Sequence, residues 1–528
     1  MKKTILLTVC CSFAMYSQST EKPVPLYPGL GNWTHPIAAR TVEAQKYFDQ
    51  GLALSYGFNR DESLRSFRKA AQLDPQAPMA YWGIALALGP YVNMDGDPTY
   101  NIKESCAAVK QGLAIKSITP TEREWLEAAA TRCPDFADPS RYIRAMHDLA
   151  AKYPDDLDAQ TLYADALMTA VRWHWYSNDG KPAPGVTEAE HILEAVMRRS
   201  PNHAGANHLY IHAVESSPNP ERAIPSSQRL MGIVPSEGHM VHMPGHIWLV
   251  TGDFETAVSV NEHAVQADQK YFADSGMMGS YYMYYLHNIN FILYGRAMQG
   301  RLASTKAAEK QMAEAVAPMA KMSPEMAGVF DATIKMAQLR MNQWDDLLAL
   351  PKPQTKDPLV TAWWRYSRAM AMAGKGRLDD ARHERDEFES ARKALDQKAP
   401  WGQNVTGDVM NLASAVLEAR VQSSPAAAVP IWKRAVSLQD ALTYDEPPAW
   451  YYPVRESLGA ALLLAKDAAG AEAVFHEGLR RSPNNGRMLF GLLESLKSQQ
   501  KTQAAAEVKK EFDRAWSGSD ITLRLSDL

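Results

Sequence analysis

Apolar positions recur at helical spacing along nearly the whole chain, and no segment between them keeps the alternation of a half-buried strand. The pattern starts at Val42, where AQKYFDQGLALSYGFNRDESLRSFRKAAQLDP reads as two helices joined by a short polar turn. Gly51, Ser63 and Ala70 are small residues placed where two helices touch, Phe67 is the aromatic between them, and Pro75 ends the second helix. A second unit opens at once with PMAYWGIALALG, Gly83 taking the place of Gly51, and runs into a long loop, YVNMDGDPTYN. Further units are expected over 157–201, with the insertion YSNDGKPAPG between their helices, and over 204–235 and 238–268. After an aromatic insertion, MMGSYYMYYLHN, another runs to Met319. Weaker units occupy 324–350, 362–396 and 410–438, and two regular ones close the chain at 452–483 and 484–516. PKPQTKDP (351–358) and WGQNVTGD near 401 are the natural breaks.

The spacing of small residues, aromatic and closing proline resembles the tetratricopeptide repeat (TPR) family, and TGDFETAVSVNEHAVQAD is similar to that family's turn and second helix. The resemblance extends over nearly all of the chain beyond the lead-in. It implies an all-α fold, a TPR-like α-solenoid of helix-turn-helix repeats, each burying its apolar face only against its neighbours. The expected organisation is a signal peptide at 1–19, an extended lead-in at 20–40 and an N-terminal array at 41–320. A weak repeat and linker at 321–360 and a C-terminal array at 361–528 complete it.

Chemistry concentrates in one stretch. Eight of the fourteen histidines lie between His203 and His287. His208, His212 and Glu215, spaced i, i+4, i+7, share one helix face within roughly 60°. His239, His242 and His246, spaced i, i+3, i+7, form a second stripe. His208 and His212 precede Ala223 by fifteen and eleven residues, and His242 and His246 precede Ala257 by the same intervals, a displacement of 34 that matches one helical repeat. His287 lies eighteen residues before Thr305, as His239 lies eighteen before Ala257.

The TPR resemblance implies that first helices line the concave side, so these residues are expected in the groove. Packed helices lie about 8–10 Å apart, which lets imidazoles from neighbouring first helices converge on one ion. Nitrogen ligands suit copper or zinc, and iron or nickel as well, with Glu215 as an oxygen ligand or catalytic base. Met240 and Met243 interleave with the histidines as thioether ligands or as core residues. Two other readings remain: a groove that recognises an anionic ligand or peptide carboxylate, and histidines satisfied one by one by backbone carbonyls.

Pro244 cannot donate a helix hydrogen bond, so the helix is expected to start near His242, leaving His239 to reach the site from a cap. HExxH is absent, which gives a zincin mechanism no support. Trp173, Trp175, Tyr282 and Tyr285, with Tyr281 and Tyr284, either wall a pocket over the site or fill gaps left by the insertions. His174 lies among the first of these aromatics, and His263 reads as structural. Asp165 is a further ligand, a carboxylate orienting an imidazole, or a solvated acid.

Composition narrows the function classes. The chain is 46% apolar and 22% charged with a net charge of −4, which gives no footing for nucleic acid. No later apolar run approaches the ~20 residues that span a bilayer. MKKTILLTVCCSFAMYSQS reads as a secretory signal and implies an exported chain, periplasmic or secreted. LTVC loosely resembles a lipid-attachment box, though Val9 is bulky for one. Export would leave Cys106 and Cys133, which an oxidising setting permits to pair; two unrelated small buried residues is the other reading. Two functions follow as expectations. One is a metal-dependent enzyme acting on a small molecule or peptide in the concave groove. The other is a scaffold that binds a protein or peptide partner, any metal being structural.

Overall fold

The helical spacing resolves into successive antiparallel hairpins, beginning with Val42–Tyr56 against Arg60–Leu73 and ending with Gly486–Ser498 against Thr502–Ala515. The computed structural model describes residues 23–93, 99–276, 279–320, 323–355 and 357–528. The expected signal peptide lies outside the described residues. Polar residues start the helices by satisfying free backbone N–H groups: Asn59 accepts from Glu62, Asp156 from Asp158 and Ala159, and Asp253 from Thr256.

Small residues set the spacing between hairpins, as read from the pattern. A Cβ on Gly51 would sit 2.7 Å from the Phe67 ring and one on Gly83 only 2.2 Å away, so one aromatic fills the crossing of three helices. Phe475 does the same between Gly459 and Gly491, at 2.4 and 2.1 Å. This is a TPR-like α-solenoid. Residues 114–156, assigned to no unit from the pattern, form another hairpin, Pro120–Ala130 with Pro139–Lys152. Its loop, TRCPDFADPS, hides the period; Cys133 in that loop is disulfide-bonded to Cys106, with Cα atoms 5.9 Å apart. The break near 401 is a two-residue β-hairpin, Pro400–Trp401 pairing with Asn404–Val405.

The apolar interior divides into two cores, one built from Phe48 to Tyr284 and the other from Leu249 to Leu528. Met240, Met243 and Ile247 belong to the first and Leu249 to the second, so the histidine segment lies where the two meet. Long-range contacts join distant hairpins, four of them as follows. Ser280 N–H donates to Asp61 at 2.9 Å, the Tyr91 and Tyr284 hydroxyls meet at 3.1 Å, Tyr451 bonds Asn290, and Asn178 donates to the Asp440 carbonyl at 2.9 Å. The lead-in closes another side. Tyr27 N–H and Ala38 N–H donate to Gln50 and Glu122, both at 2.8 Å.

The residues expected to face the concave groove are buried. His208, His212 and His242 are fully buried, and His239 and His246 are 1% exposed. Lead-in and C-terminal residues make the contacts given above, and Glu446 of the C-terminal half lies 2.9 Å from His246. Among the described residues, no helix is long and apolar enough to cross a membrane.

Candidate metal centre

Four helices carry the site. His208, His212 and Glu215 lie on Ala204–Glu215, as their spacing predicts. His239 and His242 lie on Gly238–His242, and His246 lies on Pro244–Val250. Met243 ends the first of these and starts the second, which puts Pro244 at a position where a missing N–H costs nothing. His239 is therefore inside a helix whose cap is Glu237, not at a cap itself. His287 comes from Tyr282–Met298 and is the one partly exposed ring of the six.

The six imidazoles form one continuous cluster. Ring centres are 5.0 Å apart for His208–His212, 4.9 Å for His208–His239, 4.6 Å for His242–His246 and 4.8 Å for His242–His287. His212–His246 at 5.5 Å and His239–His242 at 5.6 Å join the two halves.

Four rings are tied by Nδ1 to an oxygen. His208 meets the Tyr56 carbonyl at 2.5 Å, His212 meets Glu215 Oε1 at 2.9 Å, His242 meets Asn261 Oδ1 at 2.6 Å, and His246 meets Glu215 Oε2. Asn261 presents its oxygen because its amide nitrogen donates to the Ala257 carbonyl at 2.7 Å. These oxygens accept, so each Nδ1 carries a proton, and the neutral rings among the four, His208, His212 and His242, turn a bare Nε2 lone pair inward. His208 Nε2, His212 Nε2 and both nitrogens of His239 are buried without a hydrogen-bond partner among the described residues. His242 Nε2 and His246 Nε2 face each other at 2.6 Å, a separation at which two lone pairs need a proton or a cation between them.

Burial, reinforced by neighbouring rings, holds His208, His239 and His242 far below the ordinary histidine value and takes His212 and His287 down to about 3. These five are neutral at pH 7, the form that ligates metals. His246 is the exception. Burial opposes its charge, but Glu446 and Glu215 beside it prevail and raise it to about 10. Burial pushes the Glu215 carboxyl above its usual range.

Glu446 was not legible as a site residue. It enters from the C-terminal half, is 5% exposed, and places Oε1 2.9 Å from His246 Nδ1. That approach lies off the hydrogen-bonding direction, and neither carboxylate oxygen makes an aligned hydrogen bond. The Tyr444 hydroxyl beside it is also buried without one. Nothing in the spacing ties them to His246, although the segment TYDEPPAWYYP is unusual for a helical array.

Aromatic rings enclose the cluster, though not all of those expected. Phe58 packs on His208, His212 and His239 at 4.4, 5.8 and 5.2 Å, and Phe291 on His242, His246 and His287 at 4.6, 5.1 and 5.0 Å. Trp175 and Trp173 lie 5.7 and 6.0 Å from His212, as expected of a wall. Tyr282 and Tyr285 do not reach the site: Tyr282 donates to the Ala315 carbonyl and Tyr285 packs on Phe272. At about 100° per residue, Tyr284 and Phe291 share the face of His287, whereas Tyr282 and Tyr285 point away from it. Tyr284 accordingly lies 4.4 Å from His239, and the Tyr281 hydroxyl accepts from His239 N–H at 2.9 Å.

The remaining candidates separate from the cluster. Met240 and Met243 are core residues, and His174 and His263 are exposed. Asp165 is neither solvated nor bonded to an imidazole. It is buried near Arg132, Arg60 and Arg172, and burial raises it to about 6.

No family model matches the chain, and no curated protein matches it. Among solved structures, the TPR domain of P58(IPK) aligns at 13% identity over 88% of this chain and 99% of its own, with a TM-score of 0.23. Yeast Tom70 aligns at 10% identity over 89% and 90%, with a TM-score of 0.30. Naa15/Naa10 bound to HypK-THB aligns at 11% over 90% of each chain, with a TM-score of 0.24. Superpositions this poor carry no argument, so the fold class rests on the hairpins and crossings described above.

Proposed function

We propose that this α-solenoid is an exported metalloprotein whose buried imidazoles hold a transition metal for chemistry on a small molecule. One observation carries the reading. Rings held at Nδ1 by oxygen acceptors turn unpartnered Nε2 atoms towards one another inside the core. Orienting acceptors of this kind accompany metal-ligating histidines generally. An interior nitrogen without a partner costs roughly 1–3 kcal/mol, a cost that coordination removes. A donor set of nitrogens without thiolates suits zinc or copper, and also iron.

Glu215 holds two Nδ1 atoms, which favours a positioning role; it also stands with His212, His246 and Glu446 in a group able to hold an ion, so the role of ligand or base expected from its spacing stays open. Three histidines on an ion leave a coordination position for water or substrate, the arrangement of catalytic sites. The closure of the site limits that substrate to a small molecule, and a peptide lying in an open groove is set aside. A scaffold role for the outer surface, with a structural metal inside, is the second reading; the enclosure of the rings favours it.

The test is metal content after mild purification, followed by the pair His212→Ala and His246→Ala. The expected result is bound zinc, copper or iron in the native protein, and loss of metal with unchanged far-UV helicity in the double variant. Native protein that neither contains nor takes up metal contradicts the proposal. A variant that loses its helicity together with its metal favours the structural role.

A further inference from the structure

The six histidines divide into two sets of three. The ligand nitrogens of His208, His212 and His239 lie within 4.8 Å of one another, and so do those of His242, His246 and His287. The six do not form one such group among the described residues; His212 and His246, one from each set, instead share a further group with Glu215 and Glu446 at the seam. Nitrogens bound to a single ion at 2.0–2.1 Å are at most ~4.2 Å apart, so one ion cannot collect both sets. Each set is also completed from a different direction. The first joins the Ala204–Glu215 helix to the short Gly238–His242 helix, while the second joins the His242–His246 turn to Tyr282–Met298.

The environment follows the same division. Phe58 covers the first triad and Phe291 the second, each within 6 Å of all three of its rings. Glu215 lies at the seam, one oxygen on His212 of the first set and the other on His246 of the second. Glu446 adds a buried carboxylate at the same seam, with both oxygens lacking an aligned hydrogen bond. It lies 2.9 Å from the His246 ring, and a buried carboxylate of this kind is stabilised by positive charge beside it. One ion held by neutral imidazoles calls for less compensation than two dications, and two buried carboxylates are supplied.

We infer that the cluster is a two-metal centre, with one first-row divalent transition ion held by His208, His212 and His239 and a second by His242, His246 and His287. The inference rests on the metal-site reading above and adds the number of ions and the assignment of ligands. Glu215 sets the orientation of one ring in each set and so couples the two positions. Each ion keeps an open position, and the contacts His212–His246 and His239–His242 bring those positions together, as in centres where two ions share one bridging oxygen ligand.

The test is equilibrium titration of the metal-stripped full chain with zinc, read by bound-metal analysis, in the native protein and in His208→Gln and His287→Gln. The native protein is expected to take up about two ions per chain and each variant about one. Copper(II) loaded into the native protein is expected to give an EPR signal integrating to well under two spins per chain, because neighbouring ions couple. Uptake of one ion by the native protein overturns the two-metal assignment and leaves the metalloprotein reading standing. Uptake of none overturns both. A fully mononuclear EPR spectrum at two ions per chain, or loss of all metal in either folded variant, overturns the assignment of the triads. The native stoichiometry needs no variant to fold.

Discussion

Metal loading is expected to slow amide exchange by about 1,000-fold across Ala204–Glu215, Gly238–Val250 and Tyr282–Met298, and to leave the closing hairpins unchanged. A ligand that binds only the folded site at about 1,000 times its dissociation constant stabilises that site by about 4 kcal/mol, which corresponds to that factor. The stabilisation is local because a solenoid repeat communicates mainly with its neighbours. It is large because the metal-free site leaves four ring nitrogens on His208, His212 and His239 without partners, and Glu446 without an aligned bond. Exchange measured with and without a chelator checks this. Equal protection in both states, or a change confined to Gly486–Ser498 and Thr502–Ala515, would count against a metal at the histidines.

Replacing Asp158 by Ala is expected to destabilise the N-terminal half by about 3–5 kcal/mol, the usual effect of removing one partner from a buried ionic cluster. Asp158 is 2% exposed and accepts from Tyr56 at 2.6 Å, Trp33 at 2.9 Å, His35 at 2.9 Å and His203 at 3.2 Å. It thereby ties the lead-in to the start of the helix that carries His208 and His212, since His203 caps that helix by accepting from Ala206 N–H. Burial would raise the Asp158 carboxyl, but its bonds and charge pairing with His203 and His35 hold it below the usual range. Burial would lower His35, but Asp158, followed by Asp156 and Asp49, raises it above the usual histidine value.

The signs of these two shifts set a pH window. The Asp158 contribution is present above about pH 4 and lost as pH falls through its lowered value. The His35 contribution is complete below about pH 6.5 and lost as pH rises through its raised value. The difference in stability between native protein and Asp158→Ala should therefore be greatest near pH 5–6 and decline on both sides. Denaturant unfolding across about pH 2–8, with limited proteolysis of residues 23–40, measures it. A difference that is flat with pH would contradict the ionic anchor.

How much of this was legible depends on whether the responsible contacts lie within one repeat. The displacement of 34 places His208, His212, His242 and His246 on equivalent helices, and the alignment of His287 with His239 survives a loop insertion, because periodic packing preserves register. Contacts between distant repeats have no period. Glu446 reaches His246 from 200 residues away, and the Asp158 anchor joins residues 33, 35, 56 and 203 through side-chain hydrogen bonds. The expectation that the histidines face a concave groove was an inference from separate repeats. The histidines are buried in the structure, with Glu446 of the C-terminal half against His246, and no local pattern records that approach. The tyrosines erred by register: the aromatic insertion hides where the helix begins, and a shift of two residues turns a side chain through about 200°.

X-ray absorption fine structure at the metal K-edge of the loaded full-length protein tests the central claim most directly. Ligation by these histidines predicts a first shell of nitrogen and oxygen at about 2.0–2.1 Å with outer scattering from imidazole carbons, and no sulfur at about 2.3 Å. A sulfur shell, or a shell of oxygens without imidazole scattering, would contradict it.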